Sequence, residues 1–125
     1  MNKQDVINRT QCLALRCIRM VDNMPITNTS RILGNQLVRS ATSIGANYRA
    51  SCRAKSKKDF ISKLKIVEEE ADETIYWLEL IEQAKILDPK KLEDLTKEAN
   101  ELLSIFVTSI KTAKSNLAKT IKVRS

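Results

Sequence analysis

The sequence predicts an all-α protein, an antiparallel up-down-up-down four-helix bundle, on three observations. Glycine and proline number only two each in 125 residues, which leaves little material for hairpins or glycine-rich loops. Leu, Ala, Glu, Lys and Ile dominate, a composition suited to long helices. Apolar residues recur at threes and fours in four stretches separated by short breaks. A chain of this length supports one core, so a single domain over residues 1–125 is expected.

The first helix is predicted over about residues 3–22, where Val6, Thr10, Leu13, Ala14, Cys17 and Val21 form one stripe. Met24-Pro25 ends it, because proline disfavours helix at the residue before it. The second is predicted over about 28–54, with Leu33, Leu37, Ala41, Ile44 and Tyr48 inward. Gly34, Ser40, Ser43, Gly45, Ala46, Ala50 and Ser51 make it rich in small residues, which permits close backbone approach. The third, about 57–87, opens on Ser56 with Asp59 three residues on, a variant of the capping box. Its stripe is Phe60, Leu64, Val67, Ala71, Ile75, Leu78 and Ile81. The fourth, about 89–120, has Asp88 as a cap and Pro89 at the first helical position. Leu92, Leu95, Ala99, Leu102, Phe106, Ile110, Ala113 and Leu117 follow, and the last turns to Arg124 are expected to fray.

Composition also bounds the chemistry. There is no histidine, hence no Ser-His-Asp or Cys-His machinery within one chain and no imidazole metal ligand. No P-loop or GxGxxG occurs. The expectation is a non-enzymatic protein with no catalytic residues, no metal and no cofactor. Cys12, Cys17 and Cys52 are odd in number, without a secretion signal, and read as small hydrophobes at helix contacts. Cys12 and Cys17 point about 140° apart on a helix. No apolar run approaches the roughly 20 residues of a membrane span. No membrane partner and a cytoplasmic location are expected.

Charge is unevenly placed. The net of +7 divides into +10 over residues 1–66, −8 over 67–110 and +5 over 111–125. On the second helix Arg31, Arg39, Arg49 and Arg53 fall within an arc of about 80°, opposite Leu33, Leu37, Ile44 and Tyr48. Short residues lie between them, and Lys55, Lys57 and Lys58 continue the charge into the next turn. Three readings stay open: a solvated face, a stripe for RNA or DNA phosphates, or pairing with carboxylates of a neighbouring subunit. On the third helix Ile66, Trp77, Leu80 and Ala84 form a second apolar row, with Tyr76 at its margin and Glu69, Glu70 and Glu73 on the same side. One bundle leaves this row wet unless the first helix covers part of it. An exposed tryptophan patch points to self-association.

The segment Leu33-Gly34-Asn35-Gln36-Leu37-Val38-Arg39-Ser40-Ala41-Thr42-Ser43-Ile44-Gly45-Ala46-Asn47 resembles the four-helix bundle family of 23S rRNA intervening-sequence proteins, whose members typically read Gln-Leu-x-Arg-Ala-Ala-x-Ser-Ile-x-Ala-Asn here. Ser56-Lys57-Lys58-Asp59-Phe60 is similar to the family's next segment. Glu70-Ala71-Asp72-Glu73-Thr74 and Tyr76-Trp77-Leu78-Glu79-Leu80 look like one branch of it. The resemblance runs from about Val6 to Leu117. It implies a bacterial protein and a ring-shaped homopentamer. It also implies kinship with accessory proteins of diversity-generating retroelements, basic pentamers that bind nucleic acid and a reverse transcriptase. It supplies no catalytic residues. The chain departs from the family at Ala46-Asn47-Tyr48-Arg49-Ala50-Ser51, where many members read Ala-Asn-Ile-Ala-Glu-Gly. A role tied to that acid does not carry over.

The function expected is an oligomeric binding protein with sequence-independent affinity for nucleic-acid phosphates. The alternative is a structural adaptor, a homo-oligomer whose partner is another protein.

Overall fold

The computed structural model describes residues 1–124 and contains four helices: α1 (Lys3–Asp22), α2 (Asn28–Ser51), α3 (Lys57–Gln83) and α4 (Pro89–Arg124). There are no strands among the described residues. The helices follow one another around the bundle. α2 packs on α1 and α3, α4 packs mainly on α3, and α1 meets α4 more sparingly. The expected four-helix bundle is what forms.

Each helix start has a local cause. Asn2 Oδ1 accepts the Asp5 N–H at 2.9 Å while the Asp5 carboxylate accepts the Asn2 N–H at 3.2 Å, a reciprocal cap. Thr27 Oγ1 caps α2 through the Ser30 N–H at 3.1 Å. Ser56 Oγ caps α3 through the Asp59 N–H at 3.1 Å, but Asp59 does not return the bond to Ser56. Its carboxylate takes the Lys55 N–H at 3.2 Å and the Lys63 ammonium at 2.8 Å.

Three helix ends differ from expectation. α2 stops at Ser51, because the Arg53 and Ala54 N–H groups bond three residues back, to Ala50 and Ser51, in a tightened last turn. α3 stops at Gln83 rather than near Leu87. Lys85 adopts φ 57°, its N–H bonds Glu82 O at 3.0 Å, and the Ile86 N–H bonds Ile81 O at 3.2 Å. This is a Schellman stop with lysine where glycine is usual. A left-handed non-glycine residue costs about 1–2 kcal/mol. Lys85→Gly is therefore expected to stabilise the fold by about 1 kcal/mol, read as a rise of a few degrees in the thermal midpoint. α4 continues past residue 120 and is helical through Arg124.

The wholly buried core lies within the stripes the periodicity picks out, but Leu33 and Phe60 are only half-buried, and Ile61 and Met24, outside the stripes, are buried. Leu13, Cys17, Leu37, Ala41, Ile44, Leu64, Val67, Ala71, Leu78, Ile81, Leu92, Ala99, Leu102 and Phe106 are wholly buried. The Phe106 ring lies 5.8 Å from that of Tyr48, centroid to centroid. Small residues on α2 set its distance from α1: a Cβ on Gly34 would stand 2.8 Å from Val21 Cγ1, and one on Gly45 3.2 Å from Thr10 Oγ1. Between α2 and α3 the buried Ser40 and Thr74 hydroxyls lie 2.9 Å apart. Each is also within hydrogen-bond reach of a carbonyl on its own helix, Leu37 O at 3.1 Å and Glu70 O at 2.8 Å.

Candidate nucleic-acid interface

The up-down-up-down path brings three chain segments to one end of the bundle: the start of α1, the turn from α2 to α3, and the last turns of α4. Lys57 Nζ, at the start of α3, donates to Thr120 Oγ1 near the end of α4 at 2.9 Å. Arg49, Arg53, Lys55, Lys57 and Lys58 therefore meet Lys3 and Lys119 at this pole, and all seven are exposed. Among the described residues none of these side chains has a carboxylate within ion-pair distance. The one acid in the turn, Asp59, is occupied by the Lys63 ammonium, which holds its carboxyl below the usual range, with help from the Lys55 N–H.

The arginine stripe of α2 is thus divided. Arg31 lies at the opposite end, where its guanidinium donates to Asn28 Oδ1. Arg39, in the middle, is engaged within its own chain: it hydrogen-bonds Glu73 and stands 3.5 Å from Glu70 Oε2. The pairing with a neighbouring subunit that the sequence left open is met here by α3 of the same chain. Only Arg49 and Arg53 join the lysines of the turn. Sequence reasoning missed Lys3 and Lys119. The available signal was the +5 block after residue 110, read together with the antiparallel path that returns it to this end.

Arg39 favours the ionised form of both partners, yet their net shifts are opposite. Its hydrogen bond holds the Glu73 carboxyl below the usual carboxylate range. Burial pushes Glu70 above that range, against the pull of Arg39, and Glu70 Oε2 is buried without a hydrogen bond. The linkage signs follow. The Glu73 contribution is present above its unfolded-state pKa and is lost as pH falls through the folded one. The cost of ionised Glu70 is lifted as pH falls through its raised folded pKa. Arg39→Gln is expected to move both titrations upward, which carboxyl NMR resolves; unchanged Glu73 titration would refute the assignment.

The apolar row of α3 is only partly open. Ile66 and Tyr76 are 45% and 53% exposed, and Ala84 and Glu69 are also exposed. Trp77 and Leu80 are half-buried. Trp77 Nε1–H donates to Glu73 Oε1 at 3.3 Å and its ring meets Tyr76 edge-on, with centroids 5.0 Å apart. Partial cover by α1 does not occur, since α1 sits diagonally from α3; α2 flanks the row through Arg39.

Cys17 is buried, Cys12 exposed and Cys52 between the two, and burial raises the Cys17 thiol to about 12. Among the described residues no group of three potential ligands could hold a metal ion. Among the described residues no helix is long and apolar enough to cross a membrane.

No curated protein matches the chain. A solved structure from Bacteroides thetaiotaomicron, described as a protein of unknown function from the S23 ribosomal protein family, is 32% identical. The match covers 89% of this chain and 99% of that one, with a TM-score of 0.80. The family model described as 23S rRNA-intervening sequence protein matches residues 2–108. With most of its length matched and the same four-helix fold, this chain belongs to the 23S rRNA-intervening sequence protein family.

Proposed function

We propose that this chain is a non-enzymatic, oligomeric binding protein of the cytoplasm that holds RNA or DNA by its phosphates at the basic pole. The observation that carries the reading is the convergence of Lys3, Arg49, Arg53, Lys55, Lys57, Lys58 and Lys119 at one end, with no carboxylate partner among the described residues. Cations clustered on one face are the electrostatic footprint of phosphate binding. Lysines and arginines without a base-reading helix imply contact to the backbone and no choice of sequence. Self-association through the Ile66, Tyr76 and Trp77 flank would repeat the pole around an assembly and multiply its charge.

Two measurements on the purified protein test this reading. Light scattering should give a mass well above the 14.2 kDa of one chain, with five copies the expected state. Affinity for unrelated oligonucleotides should be similar and should fall linearly in log K against log salt. A monodisperse monomer would remove the oligomer, and salt-independent or absent binding would remove the nucleic acid. The adaptor reading rests on the same exposed Ile66 and Tyr76, and it is the one left standing if the oligomer forms but binds no nucleic acid.

A further inference from the structure

The basic pole is hollow rather than flat. A recess of about 310 Å³ opens there, with Lys3 from α1, Cys52 and Ser56 from the turn, Lys57 and Phe60 from α3, and Asn116 from α4 among its walls. Its size is at the lower end of ligand sites generally, about 300–1,000 Å³. That suits one nucleotide and excludes a duplex. Its lining matches the parts of a nucleotide: two ammonium groups for a phosphate, the half-exposed Phe60 ring for a base, and the Asn116 amide and Ser56 hydroxyl as polar neighbours. Lys57 Nζ is held by Thr120 Oγ1, a neutral partner that fixes its place without cancelling its charge. A larger groove between α3 and α4, about 630 Å³, is walled by Glu68, Glu69 and Asp72 together with Lys65, Lys111 and Lys114, so its charges balance and it lacks the unopposed cations of the pole.

Resting on the proposed phosphate-binding role of this pole, we infer that the recess receives an unpaired nucleotide, so that the protein prefers single-stranded nucleic acid to duplex. In a duplex the bases are stacked inside and cannot reach Phe60 without being flipped out, which costs unpairing energy. A single strand can seat a phosphate between Lys3 and Lys57 and lay its base against the aromatic wall. Stacking of this kind tolerates any base, in keeping with a pole that reads no sequence.

Cys52 provides a reporter within the recess wall. In a Cys12→Ser variant the exposed thiol is gone and Cys17 is buried, so maleimide alkylation reads Cys52. The probes are a 12-nucleotide oligothymidine and a mixed-sequence duplex of equal length, each added to saturation. The single strand should bind on the order of tenfold more tightly than the duplex and should slow Cys52 alkylation by a similar factor. The duplex should leave Cys52 reactive. Asn116→Trp, at an exposed position, should fill the recess and abolish both the preference and the protection while leaving duplex affinity in place. Equal affinities with Cys52 equally reactive would overturn the recess and leave the basic pole standing. Single-strand preference without protection of Cys52 would likewise overturn it. Failure of both probes to bind would remove the recess and the pole together.

Discussion

Replacing Arg49, Arg53, Lys55 and Lys58 together by glutamine is expected to lower nucleic-acid affinity about a thousandfold at 0.1 M salt. Each phosphate contact releases counterions worth about 0.7–0.9 in the slope of log K against log salt, so four lost contacts flatten it by about 3–4. The loss should be the same for all sequences, since backbone contacts carry no base information. All four positions are exposed, and surface changes of this kind alter stability little. Arg39→Gln serves as the control. Its guanidinium is already committed to Glu73 and Glu70, so affinity should hardly change. An unaltered salt slope in the fourfold variant would eliminate the pole as the binding surface. A slope that collapses in Arg39→Gln instead would move the surface to the middle of α2.

The largest effect on stability is expected from Phe106→Ala. Phe106 is the largest wholly buried side chain and packs on Tyr48 across the bundle. Truncation of a buried phenylalanine costs about 3–5 kcal/mol, from lost transfer energy and the cavity left behind. A domain of this size should then melt roughly 10–20 °C lower. Chemical denaturation should show the same loss with an unchanged dependence on denaturant. A loss under 1 kcal/mol would mean that α4 is not packed as described. Because Tyr48 is near the pole, the variant also reports whether that end depends on the core beneath it.

The fold was legible because its determinants are local. Stripes at threes and fours marked α1 to α4, and Ser56 was marked as a cap, whereas the caps Asn2 and Thr27 were not. The α3 end was missed because its stop depends on Lys85 in a left-handed conformation, which nothing in a lysine announces. The site was legible only in pieces. The arginines of α2 share a face by helical spacing, but Arg39 and Glu73 are 34 residues apart in sequence, and their pairing is a tertiary fact. Lys57 and Thr120 are 63 apart, and only the returning path of α4 turns two separate basic blocks into one pole. The family was legible from Leu33 to Asn47 because the small residues there have a packing reason: at Gly34 and Gly45 a side chain would meet α1.

The separation of charge along the bundle bears on encounter rates. The carboxylates Glu68 to Glu73 begin eleven residues into α3 from Lys57, about 16 Å along the axis at 1.5 Å per residue. That is about two Debye lengths at physiological ionic strength, near 8 Å each. The acidic flank therefore does little to cancel the field beyond the pole, yet it repels a polyanion that drifts alongside. A molecule charged in this way selects its orientation before contact and presents one end to an approaching strand. Removing acids from the flank would let strands settle along the side of the bundle as well as at its end, without loosening the final grip.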